Sequence, residues 1–298
     1  MNIIDCIGNT PLIKLKKRDK NSADIYVKLE QFNAGFSVKS RVAKAMVKDA
    51  IENDILKPGD TIIEATGGNT GMGLAIMSTI YKFKFVAVVP DNYSRERIAM
   101  LKHYNAEVIL ADSKKGNDSH ILKTRELQEC NPNWVCLDQF SNTSCINAHY
   151  YGTAQEIIEK ITPDAFVACV GSGGTFTGVS KRLKQLKSST KCYVAQPNGC
   201  DILKGTAIQH KIQGVSLGII PPLLDYSLID GTINVDYADV KEELLFLLKN
   251  EAIFLGISSG ANIVAARALA REIGDGGCVC TVAPDGGQYY KCEILPDV

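Results

Sequence analysis

The chain has 298 residues, 33 of them basic and 33 acidic, so its formal charge at neutral pH is zero. No chain-wide field draws it to nucleic acid or to an anionic membrane, and neither is an expected partner. With 45% apolar and 22% charged residues it has the composition of a folded globular protein, and at about 150 residues per domain the length fits one large α/β domain or two smaller ones around a shared cleft.

The chain opens Met1-Asn2-Ile3-Ile4-Asp5-Cys6-Ile7-Gly8, with neither a basic leader nor a long apolar stretch, and no run of about 18 apolar residues occurs further on. A cytoplasmic location is the expectation. Residues 24–30 read as a strand, after which Val38, Val42, Ala45, Met46 and Ala50 recur at helical spacing. A strand at 61–65, a helix at 70–82, a strand at 85–89, a helix at 94–104 and a strand at 107–111 follow. Later strands are predicted near 134–137, 165–170, 192–195, 253–255 and 279–282, with helices between most of them. Val/Ile-rich strands joined by helical crossovers predict parallel sheets covered on both faces. The stretch 197–236, rich in Gly and Pro, reads as irregular loops beside a cleft.

Ten cysteines are scattered without framework spacing and are expected to be reduced. Cys278 and Cys280 share one face of a strand, but no second pair or nearby histidine completes a zinc set, so no metal is expected.

Three strand-to-helix turns stand out. In Gly35-Phe36-Ser37-Val38-Lys39-Ser40-Arg41, Ser37 is placed to cap the helix and Lys39 falls in its first turn. A cation there opposes the helix dipole, which lowers the amine's pKa and suits a Schiff-base nucleophile; the alternative is an exposed surface lysine. In Thr66-Gly67-Gly68-Asn69-Thr70-Gly71, backbone amides and two hydroxyls can surround a carboxylate. In Gly171-Ser172-Gly173-Gly174-Thr175-Phe176-Thr177-Gly178 they can hold a phosphate. Neither turn matches a Walker loop, which needs Gly-Lys-Ser/Thr at its end, or a dinucleotide fingerprint, whose last glycine would fall at Phe176. A phosphate cup, a carboxylate cup and a helix-start lysine together match the needs of pyridoxal phosphate acting on an amino acid.

At these residues the chain resembles the cysteine synthase (O-acetylserine sulfhydrylase) and cystathionine β-synthase family of fold-type II pyridoxal-phosphate enzymes. The similarity runs through Gly8-Asn9-Thr10-Pro11-Leu12, Lys28-Leu29-Glu30, Ser37-Val38-Lys39, Gly68-Asn69-Thr70-Gly71, Gln139-Phe140, His149, the 171–175 loop, 210–214, Gly256-Ile257-Ser258-Ser259-Gly260-Ala261 and Pro284-Asp285-Gly286. It implies the tryptophan synthase β-like fold, two parallel-sheet α/β domains with the cofactor between them. Residues 1–9 and 36–142 would form the smaller, mobile domain, and 10–35 and 143–298 the larger. Lys39 would be the Schiff-base lysine and general base, and Asn69 the partner of the cofactor's ring hydroxyl. Gly171, Ser172, Gly173, Gly174 and Thr175 would hold the phosphate. Thr66, Gly67, Gly68, Thr70 and Gln139 would surround the substrate carboxylate, and Ser258, or Ser259 one position on, would face the pyridine nitrogen. A neutral hydroxyl there makes the ring a weaker electron sink, which favours β-elimination to an aminoacrylate followed by addition of a nucleophile such as sulfide.

The chain departs from that pattern in four places. Ser40 stands where relatives commonly have aspartate, which removes an expected partner of Arg41. Gly67 stands in place of serine in the usual Thr-Ser-Gly-Asn-Thr-Gly loop, so a donor disappears and space is expected to open. Cys145 replaces a usual asparagine, and the chain stops soon after Tyr290. Asp225, His210 and the loop 214–222 lie where relatives have the cleft entrance; Asp225 is carried as a substrate-site candidate against the plainer reading of a turn former. His103, His120 and His149 read as structural or surface residues. Tyr93, Arg95 and Arg97 read as a solvated helix start.

The favoured activity is cysteine synthesis from O-acetylserine and sulfide. Competing readings are a cysteine lyase releasing hydrogen sulfide, a lanthionine, cystathionine or diaminopropionate-type synthase, a serine or threonine dehydratase or racemase, and a non-catalytic paralogue binding a peptide tail. The resemblance implies a homodimer, and some relatives bind the carboxyl terminus of serine acetyltransferase.

Overall fold

The computed structural model describes residues 2–116 and 118–295. The chain forms two sheets. Four strands, β3 (Thr61–Ala65), β4 (Lys84–Pro90), β5 (Glu107–Ala111) and β6 (Val135–Cys136), make a parallel sheet in the order β5-β4-β3-β6. Six others, β1 (Leu12–Lys14), β2 (Asp24–Leu29), β7 (Ala165–Cys169), β8 (Lys191–Pro197), β9 (Gly231–Val235) and β10 (Cys278–Ala283), make the second in the order β1-β2-β10-β7-β8-β9. That sheet is parallel except at its edge, where the three-residue β1 runs antiparallel to β2.

Helices cover the faces, as continuous apolar strands require. The smaller sheet packs on α1 (Lys39–Glu52), α2 (Asn69–Tyr81) and α3 (Arg95–His103) on one side, and on α4 (Ser119–Cys130) on the other. The larger sheet lies between two layers. One contains α5 (Ser144–Ala148), α6 (Ala154–Ile158) and α7 (Gly174–Leu186); the other contains α8 (Tyr237–Glu251), α9 (Ile257–Ile273) and the short α10 (Lys291–Ile294). Phe166 of β7 and Phe176 of α7 are wholly buried against each other, each worth about 1.5–3 kcal/mol by the transfer of its side chain from water. The α9 face is built from alanines, and a Cβ on Gly260 would come within 2.7 Å of Leu244, so α8 and α9 meet at close range.

The chain-order expectations hold for most elements, with three corrections. Residues 253–255 form no strand: α8 is capped by Ala252 in a left-handed conformation (φ 55°), and Gly256 already caps α9, leaving room for one isolated bridge between Leu255 and Gly286. Within the stretch read as irregular, 231–235 is an edge strand paired with β8, its Gly-Thr-Ile-Asn-Val alternation hidden among turn residues. β1 is too short to show a pattern of its own.

Arg41 illustrates how the first helix is tied down. Without a carboxylate at position 40 its guanidinium binds Glu30 at 2.6 and 3.0 Å and Glu156 at 2.6 and 2.7 Å. Glu156 also pairs with the buried Lys28 at 2.6 Å, and Glu30 accepts from Thr10. Burial alone would raise the Glu156 carboxyl, but the Arg41 guanidinium and the Lys28 ammonium hold it at about 2. The Ser40 side chain is wholly buried, 2.8 Å from where a Cβ on Gly35 would lie.

Candidate active site

The site lies where the carboxyl ends of the two sheets face each other, the place where open α/β folds bind ligands. Helix α1 begins at Lys39, whose amide donates to the Ser37 hydroxyl at 3.3 Å. The preceding amide, that of Val38, donates to Pro284 O just beyond β10 at 2.8 Å, and Ser37 bridges to Asp285. Lys39 is therefore fixed between the sheets and is no surface lysine. Its side chain opens only partly to solvent; burial pushes the amine below its ordinary pKa, with the neighbouring Cys145 and Asp285 opposing that shift.

After β3 the chain enters α2 through Gly67 and Gly68. The Gly71 amide donates to the Thr66 hydroxyl at 3.2 Å, and the Met72 amide donates to Gly68 O. The amides at 67–70 make no hydrogen bond among the described residues, so a set of donors remains at a helix N-terminus, the arrangement that receives an anion. Thr70 Oγ1 donates to Gln139 Oε1 at 2.5 Å, closing one side of this cup. Beneath it the carboxylate of Glu64 accepts from the amides of Asp138 and Gln139 at 3.1 and 3.2 Å. Burial raises the Glu64 carboxyl to about 7, against those two hydrogen bonds.

The second cup follows β7. Gly173 adopts φ 94°, and a Cβ there would strike Leu224 N at 2.6 Å; one on Gly171 would strike Gly214 O at 2.5 Å. Only glycine lets the turn bend this tightly. The amides at 172–176 likewise have no acceptor among the described residues. Thr175 contacts His149 Nε2 at 3.1 Å, and His149 Nδ1 contacts Thr153 at 3.0 Å, within a π-helical turn at His149–Thr153. His149 is wholly buried, and burial holds its imidazole well below its ordinary pKa. Cys145 packs between this loop and Lys39: it lies 3.1 Å from where a Cβ on Gly174 would be.

At the start of α9 the two candidate serines separate. Ser259 is wholly buried and donates to Asp285 O at 3.0 Å, whereas Ser258 is partly exposed and makes no side-chain hydrogen bond among the described residues. Ser258 is the hydroxyl available to a ligand. Asn69 Nδ2 donates to Asp285 Oδ2 at 2.7 Å, Tyr290 Oη donates to the same oxygen at 2.9 Å, and Arg97 donates to Asn69 Oδ1 at 3.1 Å and to Tyr290 Oη at 3.2 Å.

Residues 3–285 match the family model described as pyridoxal-phosphate dependent enzyme. The chain is 40% identical over 299 aligned positions to a cysteine synthase of Staphylococcus aureus, covering 99% of this chain and 96% of that one. The chain belongs to the cysteine synthase family of fold-type II pyridoxal-phosphate enzymes. Its structure is similar to that of a hydrogen sulfide-producing enzyme from Fusobacterium nucleatum (TM-score 0.92, 37% identity, 97% of each chain). It is also similar to a cysteine synthase from Entamoeba histolytica (TM-score 0.94, 34% identity, 100% of this chain and 90% of that one).

The residues present fit pyridoxal phosphate. The unpaired amides at 172–176 match its phosphate, the desolvated Lys39 amine its aldehyde, and the uncommitted Ser258 hydroxyl its ring nitrogen. Asn69 Nδ2 carries a second hydrogen beyond the one given to Asp285, enough for a ring hydroxyl.

Other family expectations need correction. The Asp225 carboxylate is exposed and accepts from the Ser227 amide and hydroxyl at 3.0 and 2.6 Å, so it caps a turn, the plainer of the two readings. Arg97 is no solvated helix residue: it is buried, stacks on Tyr289 and Tyr290, and holds Asn69. The space expected at Gly67 is filled by Val89 and Tyr93. Sequence reading passed over Arg97 and Tyr290 as site residues and placed Asp285 only within a motif. Pro284-Asp285-Gly286, a turn directly after a strand in a parallel sheet, was the available signal for Asp285. Nothing local marks Arg97. Among the described residues no group of three or more His, Cys, Asp or Glu side chains is placed to hold a metal, and no helix is long and apolar enough to cross a membrane.

Proposed function

We propose that this enzyme makes cysteine from O-acetylserine and sulfide by β-replacement. The observation that carries the reading is the position of the Lys39 amine, desolvated and fixed between two anion cups, one at the start of α2 and one at the start of α7. When bound through Lys39, Asn69, Ser258 and residues 171–175, pyridoxal phosphate supplies the electron sink that makes the substrate's Cα proton acidic. The chain does the rest. The amides at 67–70 with Thr70 and Gln139 hold the amino acid's carboxylate, and the Lys39 amine, neutral more readily because it is buried, removes the Cα proton as general base. Acetate leaves from Cβ, sulfide adds there, and Lys39 returns the proton to Cα.

Purified protein should absorb near the visible edge, and Lys39→Ala should abolish that band. Cysteine formed from O-acetylserine and sulfide supports the reading; a wild type that turns over no β-substituted amino acid sinks it. A second reading, sulfide release from cysteine, draws support from the unusual loop at Gly67 and from the likeness to the F. nucleatum enzyme. Hydrogen sulfide from cysteine alone, without O-acetylserine, would favour it.

The division into 1–9 with 36–142 and 10–35 with 143–298 places each sheet in one unit; positions 1, 117 and 296–298 of those ranges lie outside the described residues. A groove lined by Ile3, Phe32, Phe36, Ile80, Met100 and Tyr104 leaves apolar side chains exposed, which favours a homodimer. Sedimentation of the wild type and of Phe32→Asp tests it. A serine acetyltransferase tail, whose terminal carboxylate suits the cup at 67–70, is the further partner, and competition by that peptide against O-acetylserine tests it. The cytoplasm suits ten cysteines that are all free.

A further inference from the structure

Gly67 is the loop position where the family pattern carries a hydroxyl, and the structure shows what stands in its place. A Cβ on Gly67 would lie 2.4 Å from Val89 Cγ1 and 3.0 and 3.1 Å from Tyr93 Cδ1 and Cε1. A Cβ on Gly68 would lie 2.9 Å from Tyr93 Oη. The phenol ring therefore runs along both glycines and ends at the cup whose amides at 67–70 are unpaired. Tyr93 sits in the short connection between β4 and α3, and its amide donates to Pro90 O at 3.1 Å, which fixes where the side chain starts. It is half-buried, and its hydroxyl makes no hydrogen bond among the described residues. The cation of Arg97 lies beside it, 3.7 Å from the same Gly68 Cβ position and held in place by Asn69 and Tyr290.

We propose that Tyr93 is a substrate-binding residue that donates its phenol O–H to the α-carboxylate of the amino acid, replacing the side-chain donor absent at Gly67. The ligand is an anion because the groups left without an acceptor are donors, the four amides at 67–70 and the phenol, and the Arg97 guanidinium adds a cation beside them, while the acceptors nearby, Gln139 Oε1 and the Glu64 carboxylate, are already paired with Thr70 and with the amides of Asp138 and Gln139. A hydrogen bond from a neutral donor to a carboxylate is stronger than one between neutral groups. The unusual glycine and the tyrosine thus form one device. Any side chain at position 67 would displace the ring, and losing the ring would leave the cup open on that side.

This inference rests on the amino-acid reading of the site, and its test separates the two. Tyr93→Phe keeps the ring against Gly67 and Val89 and removes only the O–H. Holoenzyme of wild type and variant is titrated by calorimetry with L-alanine and with L-alaninamide, which lacks the carboxylate. Tyr93→Phe should weaken L-alanine about tenfold or more, the range for a bond to a charged group, and leave L-alaninamide within about twofold, on the order of the difference an unaffected contact leaves. The KM for O-acetylserine should rise by the same factor with kcat unchanged, the pattern of lost uniform binding. Equal L-alanine affinity in wild type and variant, or equal losses for both probes, overturns the role of Tyr93 while the reaction stands. A wild type that binds neither probe and turns over no amino acid removes the amino-acid reading, and this inference with it.

Discussion

Asn69 and Asp285, 216 positions apart in sequence, join the two sheets through one hydrogen bond of 2.7 Å at the floor of the cleft. Asn69 opens α2 over the smaller sheet and Asp285 follows β10 of the larger one, so the contact sets their separation where Lys39 projects. The Asp285 carboxyl is raised by burial against the pull of Asn69, Tyr290, Arg97 and Lys39, and among the described residues its Oδ2 alone is hydrogen-bonded, its Oδ1 being buried without a partner. Asp285→Ala leaves the Asn69 amide and the Tyr290 hydroxyl each one acceptor short. The expected loss is about 2 kcal/mol, the cost of stranding buried donors, read as a lower urea midpoint with unchanged slope. An unchanged midpoint would show that the bond holds nothing together.

The lysine amine makes a chemical prediction in the apoprotein. Because burial lowers its pKa, a larger fraction is neutral at mildly alkaline pH than for surface lysines. Limited acetylation of apoprotein at pH 8, followed by peptide mass spectrometry, should find Lys39 modified faster than exposed lysines such as Lys102, and holoenzyme should protect it. Slower modification of Lys39 in the apoprotein would contradict a depressed amine.

Glu64 links pH to the substrate cup. Its carboxyl rises from 4.5 to about 7 on burial. A carboxyl whose folded pKa is raised binds more protons folded than unfolded, so its contribution falls as pH rises from the unfolded value through about 7. The full effect is about 3 kcal/mol, from 1.36 kcal/mol per unit. Melting temperatures of wild type and Glu64→Gln between pH 4.5 and 7.5 should diverge: the wild type carries a downward component with rising pH that the variant lacks. Because a glutamine offers one acceptor where two amides need one each, the variant should also raise the KM for the amino acid. Parallel curves would remove Glu64 as the titrating group.

The Arg41 cluster predicts a different pH signature. Arg41→Ala leaves the buried carboxylate of Glu30 and the partly buried one of Glu156 without their main partner, a change that costs about 3–5 kcal/mol where a buried ion pair is broken. The Glu156 carboxyl is depressed to about 2, so the stability it draws from Arg41 is present above the ordinary value of 4.5 and is lost as pH falls toward 2. The gap in urea midpoint between wild type and variant should be widest near neutrality and narrow steadily below pH 4.5. A gap independent of pH would assign the effect to packing alone.

Much of this protein was legible in the residue order. Strands such as Thr61–Ala65 and Glu107–Ala111 declare themselves because alternating βα units carry strong local patterns, and the glycine turns after β3 and β7 declare anion cups because only backbone amides at a helix start can face a ligand so closely. Lys39, Asn69 and the 171–175 loop followed from those turns and from likeness to a family. What the chain order could not disclose were meetings between distant segments. It could not show that Tyr93 fills the place beside Gly67, that Arg97 is buried on Asn69 and Tyr290, that Ser259 rather than Ser258 spends its hydroxyl on Asp285, or that Asp225 merely caps its own turn. Local pattern sets which backbone groups a segment offers, but which side chains satisfy or crowd them depends on packing between elements far apart in sequence.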